Sequence, residues 1–158
     1  MSKTEEEFHR DLKGSFDAQF ALAKHLCKKG KDLYIPGLQI APSYKERYKY
    51  MDDGDLFVVN KDGSRYCIQV KGSPQSFKSV KSWPYPDIIV DESYKIKRQE
   101  KNPPRFYATV NGELTGCITI RWDTKEHWFE REMWDRRQRD KRKFTLCNLE
   151  HCRYTRFK

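Results

Sequence analysis

Residues 55–72, DLFVVNKDGSRYCIQVKG, leave the chain few ways to fold. Two apolar runs, residues 55–59 and 65–71, flank the turn Asn60-Lys61-Asp62-Gly63. An Asp-Gly pair between two such runs predicts a β-hairpin, because a tight turn needs residues that tolerate positive φ. The start of the first strand then lies beside the end of the second. Side chains alternate along a strand, so Cys67, Gln69 and Lys71 share one face and Ile68 and Val70 take the other. Asp55 stands close to Gln69 and Lys71 at one end of the sheet. A glutamine and a lysine on one face of an otherwise apolar strand require a reason.

The flanking segments place this hairpin in an α+β or mixed α/β layout. Residues 3–29 predict a helix from the apolar stripe Phe8, Leu12, Phe16, Phe20, Ala23 and Cys27. Gly14 interrupts the stripe and marks a bend or a fresh start, and Gly30 ends it. Residues 32–36 read as a short strand, and 41–53 as a polar, tyrosine-rich connection. Residues 72–86 read as a proline-containing loop whose Trp83-Pro84-Tyr85-Pro86 packs as a rigid unit. Residues 87–91 read as a short strand, and 93–104 as a loop or short helix. Residues 106–110 and 117–121 read as strands around an Asn111-Gly112 turn. Residues 125–143 predict a second, very basic amphipathic helix packed on the sheet. With 158 residues and neither repeat nor linker, the expectation is one domain over 1–158.

The net charge of +9 points to a polyanionic partner, most often nucleic acid. Its densest part is the segment 121–158, where cations alternate with Trp122, Trp128 and Trp134. Arg131, Arg136, Arg137, Arg139, Lys141 and Lys143 are the candidate phosphate contacts, with a plain solvated face as the alternative. The five cysteines are an odd number, and the N-terminal stretch lacks the apolar segment of an export signal. The expectation is reduced thiols in a cytoplasmic or nuclear-type compartment. Cys147, His151 and Cys152 do not stand at zinc-ligand spacing. No apolar run approaches the roughly 18 residues of a membrane span, so no membrane partner is expected. The four histidines are scattered without a Ser-His-Asp or Cys-His pattern, and His25 reads as a surface residue. Asp87 and Asp91 read as solvated strand ends, although Asp91 or Glu92 reaches the site if that strand is central.

The order of these parts carries a resemblance. The helix start KGSFDAQF (13–20), then GKDLYIP (30–36), GDLFV (54–58) and IQVKG (68–72) resemble the PD-(D/E)XK nuclease superfamily, which includes restriction enzymes, Holliday junction resolvases and transposon-end nucleases. The resemblance covers residues 13–72. It implies a restriction-endonuclease-like core, with a mixed central sheet flanked by helices and the N-terminal helix first. It implies a Mg²⁺- or Mn²⁺-dependent endonuclease that hydrolyses DNA with a metal-activated water. Asp55 would bind the metal, Gln69 would be the second ligand and Val70 would offer its backbone carbonyl. Lys71 would position or activate the water. Many members carry a Glu on the first helix; the matching position here is Gln19. Asp55 is then the one clear carboxylate, to which Asp52 or Asp53 could add charge. The alternative is an inactive relative that binds nucleic acid, RNA included, or regulates a protein partner. Members often act as homodimers, and a compact basic nuclease suits a phage or a mobile element.

Overall fold

The computed structural model describes residues 4–36, 40–50, 55–136 and 138–158, apart from the side chains of Tyr48 and Tyr50. The fold is α+β, with a mixed sheet, few helices and the N-terminal helix first.

Helix α1 spans Glu5–Lys28. Thr4 opens it with a capping box: the Glu7 amide donates to Thr4 Oγ1 at 3.2 Å and the Thr4 amide to the Glu7 carboxylate at 2.9 Å. Glu5, Glu6 and Glu7 complement the positive end of the helix dipole. Gly30, at φ +77°, ends the turn that follows it. The helix runs unbroken through Gly14. A Cβ added at Gly72 would stand 3.2 Å from the Gly14 carbonyl oxygen and 3.4 Å from the Ala18 Cβ, so the helix lies directly on this strand end. A Cβ at Gly14 itself would meet nothing within 4 Å. Gly14→Ala is therefore expected to stabilise the protein by about 0.5–1 kcal/mol, read as a rise in urea midpoint; a fall would show that the glycine relieves a crowding not visible at that position.

Among the described residues nine strands follow: β1 Asp32–Tyr34, β2 Leu56–Val59, β3 Arg65–Gly72, β4 Asp87–Glu92, β5 Phe106–Val110, β6 Gly116–Arg121, β7 Phe129–Asp135, β8 Asp140–Asn148 and β9 Cys152–Arg156. A short helix α2, Ser93–Gln99, comes directly after β4. Among the described residues, six strands form one sheet in the order β1-β2-β3-β5-β6-β9, and β4-β8-β7 form a second. The hairpin predicted at 55–72 is β2–β3, with Leu56 opposite Ile68 and Val59 opposite Arg65.

Strands β3 and β5 are parallel, and the other neighbours are antiparallel. A parallel pair needs a long crossover between its members. Here that crossover carries β4 and α2. One face of the large sheet packs on α1, where Ala18, Leu22 and Ala23 meet Leu56, Val58, Ile68, Val70, Ala108 and Val110. The opposite face packs on the crossover and the small sheet, through Tyr107, Ile118 and Ile120 against Phe77, Ile88, Val90, Ile96 and Cys147. Cys67, Gln69 and Lys71 lie on this second face, because their neighbours Ile68 and Val70 point into the first core.

The expected helix over 125–143 is not formed. The segment is a short 3₁₀ turn, Trp122–His127, followed by the hairpin β7–β8. Glu, Arg, Lys and Met favour helix in isolation, and their density produced the helical reading. Residues 144–147 are buried and pair with β4, which demands an extended strand, and β7 then pairs on the outer edge of that strand. Burial of one strand overrides the propensity of its neighbour. A helix does not flank this side of the large sheet alone; a sheet and the short α2 do. His25 is likewise not on the surface. It is buried, its ring packs at a tilt against Phe157 with centroids 5.1 Å apart, and its Nδ1 accepts the Lys158 amide at 3.2 Å. Burial, then the charges of Lys29, Lys158 and Lys28, lower its pKa. No helix among the described residues is long and apolar enough to cross a membrane.

Candidate active site

Continuing the β2–β3 register one step places Asp55 opposite Gln69. The Asp55 carboxylate accepts the Val70 amide at 2.7 Å, so it sits on the backbone between Gln69 and Lys71. The carbonyl of Val70 points to the same strand edge as its amide, as in any antiparallel hydrogen-bonded pair. Gln19 is buried on α1, and its side-chain amide donates to the backbone carbonyl of Asp55. It therefore holds Asp55 by the main chain. The Gln69 side chain faces the cleft and makes no hydrogen bond among the described residues, which leaves its amide oxygen available.

Lys71 Nζ donates to Asp91 Oδ1 at 2.8 Å. Asp91 is the next-to-last residue of β4, brought there by the β3–β5 crossover; it is 5% exposed. Its Oδ1 also accepts the Glu92 amide at 2.9 Å and stands 4.0 Å from Lys95 Nζ on α2. Burial opposes the charge on Asp91, but Lys71 and Lys95 outweigh it and hold the carboxyl below its ordinary pKa. For Lys95, burial likewise opposes the charge, and Asp91, with Tyr94, Glu92 and Asp55 adding to it, raises the pKa above the ordinary lysine value. Cys67, beside these groups, is pushed up to about 11 by burial and by the Asp55 charge, so it stays a thiol at neutral pH.

Asp91 is therefore not a solvated strand end but reaches the site, the alternative left open for it, although β4 is an edge strand of the small sheet and not a central one. The expectation that Asp87 is solvated is corrected, since it pairs with Arg131 at 2.9 Å. The signal for Asp91 was its spacing of four from Lys95 across a strand–helix junction. Nothing local showed that this pair would meet Lys71, since the contact spans 20 residues.

Asp55, Cys67, Gln69, Lys71, Asp91 and Lys95 line a cleft of about 1370 Å³ between the large sheet and the β7–β8 hairpin. The cationic residues expected to contact phosphate divide in two. Arg131, Arg139 and Lys143 are committed to ion pairs with Asp87, Glu7 and Glu130. Arg136 and Lys141 make no ion pair among the described residues. Arg137, Asp52 and Asp53 lie outside the described residues.

A carboxylate, an amide oxygen and a backbone carbonyl are hard donors of the type that suits Mg²⁺, which binds through one or two carboxylates and keeps waters or substrate phosphate as its other ligands. The donor set at Asp55, Gln69 and Val70 fits that demand, with a single carboxylate. Among the described residues, no group of three or more His, Cys, Asp or Glu side chains could hold a metal ion by itself. All five cysteines are free. No family model matches this chain, and no curated protein or solved structure matches it.

Proposed function

We propose that the chain is a PD-(D/E)XK-type endonuclease with a restriction-endonuclease-like core, cutting DNA phosphodiester bonds with Mg²⁺ or Mn²⁺. The observation that carries the reading is the Asp55 carboxylate seated on the Val70 amide between Gln69 and Lys71. Asp55, the Gln69 amide oxygen and the Val70 carbonyl would hold the cation. When bound, the cation lowers the pKa of water and neutralises charge on phosphate. Gln19 fixes the backbone from which the Asp55 carboxylate projects. Lys71, paired to Asp91, presents an ammonium to the cleft. There it orients water and a phosphate oxygen and stabilises charge that grows on phosphorus. The ion pair argues for that role over removal of a proton. Pairing of two copies on one substrate follows from the same family reading, and a cytoplasmic site of action from the odd number of cysteines.

The test is cleavage of supercoiled plasmid and of branched DNA in Mg²⁺, in Mn²⁺ and in EDTA. Nicking in metal, none in EDTA, and a loss of about 100-fold or more in Lys71→Ala are expected. Unchanged cutting by Lys71→Ala would sink the mechanism. A second reading is favoured by the single carboxylate in the described donor set: a nuclease-fold protein that binds nucleic acid without cutting it. It predicts salt-sensitive binding with no turnover in either metal.

A further inference from the structure

Of the four tryptophans, Trp83, Trp122 and Trp128 pack against the core between the two sheets. The indole N–H of Trp83 donates to the Asp87 carbonyl at 2.9 Å, and that of Trp128 to Thr124 Oγ1 at 3.1 Å. Trp134 does neither. It is 59% exposed, and its indole N–H has no hydrogen-bond partner among the described residues. It lies on β7, in the wall of the cleft that also contains Asp55, Gln69 and Lys71. Lys141 stands opposite it across the hairpin, and Arg136 follows two residues later in the same wall. Neither cation is committed to an ion pair among the described residues.

The wall is held in place at its tip. Arg139 pairs with Glu7 at 3.2 Å, and the Tyr44 hydroxyl donates to the Gln138 side chain. Both contacts tie the hairpin to the region around the start of α1. A large flat ring, left in water on an anchored element between two uncommitted cations, has the composition of a stacking platform: the ring takes a base face and the cations take the flanking phosphates. Inside a duplex each base already has both faces stacked on its neighbours. Only an unpaired base offers a free face.

We propose that Trp134 stacks an unpaired nucleobase, and that the cleft takes a single-stranded stretch of nucleic acid in preference to continuous duplex. The inference rests on the nucleic-acid reading of the cleft and is independent of cleavage. Arg136 and Lys141 contact the phosphates beside the stacked base.

The experiment is fluorescence anisotropy in EDTA with a labelled twelve-nucleotide oligo(dT) and a labelled duplex of equal length, for wild type, Trp134→Ala and Trp134→Phe. Wild type is expected to bind the single strand more tightly than the duplex. Trp134→Ala is expected to weaken single-strand binding about 5- to 150-fold, the range for loss of one base–aromatic stack. Duplex binding should change less than about twofold, and Trp134→Phe should keep most of the single-strand affinity. Trp134 is exposed, so its truncation leaves the core intact. Single-strand affinity unchanged in Trp134→Ala, or equal binding of duplex by wild type, overturns the inference while leaving the nuclease reading standing. Binding of neither probe by wild type overturns the inference together with the nucleic-acid reading. Tight, Trp134-dependent binding in a protein that cuts nothing supports the inference and removes only the nuclease.

Discussion

Asp55→Asn is expected to lower metal-dependent cleavage by about 10³-fold or more, with the fold intact. Asparagine has nearly the shape of aspartate, and its Oδ1 can still accept the Val70 amide that Asp55 holds at 2.7 Å. What disappears is the negative charge. Gln69 and the Val70 carbonyl are neutral donors, so within this donor set the variant presents only neutral groups to a divalent cation. A hydrogen bond to a charged acceptor is worth more than one to a neutral acceptor, and the stability lost should be about 1–2 kcal/mol. Two measurements separate the effects. Calorimetric titration with Mn²⁺ should show binding to wild type that is lost in Asp55→Asn. Urea unfolding should show only the small destabilisation. Full cleavage by Asp55→Asn would exclude the site and with it the assignment of the metal ligands.

Asp91→Asn should produce the largest change in stability. The variant removes the negative partner of two lysines while keeping the volume of the side chain. Breaking a buried ion pair costs about 3–5 kcal/mol when the remaining charge cannot reach water. The Lys71 and Lys95 side chains are 34% and 38% exposed, so solvent screens them and about 2–3 kcal/mol is expected. The pH dependence distinguishes this from simple repacking. Asp91 has a folded pKa below its unfolded value of about 3.9. Its contribution is fully present above that unfolded value and is lost as the pH falls through the folded pKa. Lys95 has a folded pKa above its unfolded value of about 10.4, so its contribution is present below that pH and is lost as the pH rises through the folded pKa. Urea unfolding of wild type and Asp91→Asn from acid to alkaline pH should give curves that converge at both extremes and differ most between them. A constant difference across the range would mean that packing, not charge, holds Asp91 in place. Loss of the partner should also slow cleavage, since Lys71 is no longer held by Asp91.

Residues 55–72 show how far local chemistry reaches. The Asp-Gly turn and the alternation of apolar residues were enough to pair β2 with β3 in their observed register and to place Gln69 and Lys71 on one face. The first helix, its end near Gly30, and strands β5 and β6 were legible for the same reason, since each signal lies within a few residues. Residues 125–143 show where this stops. Their helix-forming composition is real, but the strand that follows them is pulled straight by burial against β4, 50 or more residues earlier. His25 looked exposed because it falls near the helix end at Gly30, and it is covered by Phe157 from the far end of the chain.

The same division runs through the candidate site. Asp55, Gln69 and Lys71 are neighbours because one hairpin makes them so, and a hairpin is written in eighteen consecutive residues, 55–72. Asp91 and Lys95 join them because the crossover between parallel β3 and β5 carries them there, and the wall that carries Trp134 joins through the pairing of β8 with β4. A parallel pair obliges the chain to leave one end of the sheet and return to the other, and it is packing between two cores that decides which face this crossover covers. Alternation along a strand is a local, steric property, so the sequence alone determined which side chains share a face. What stands opposite that face depends on contacts separated by tens of residues, whose energies exist only once the layers have closed.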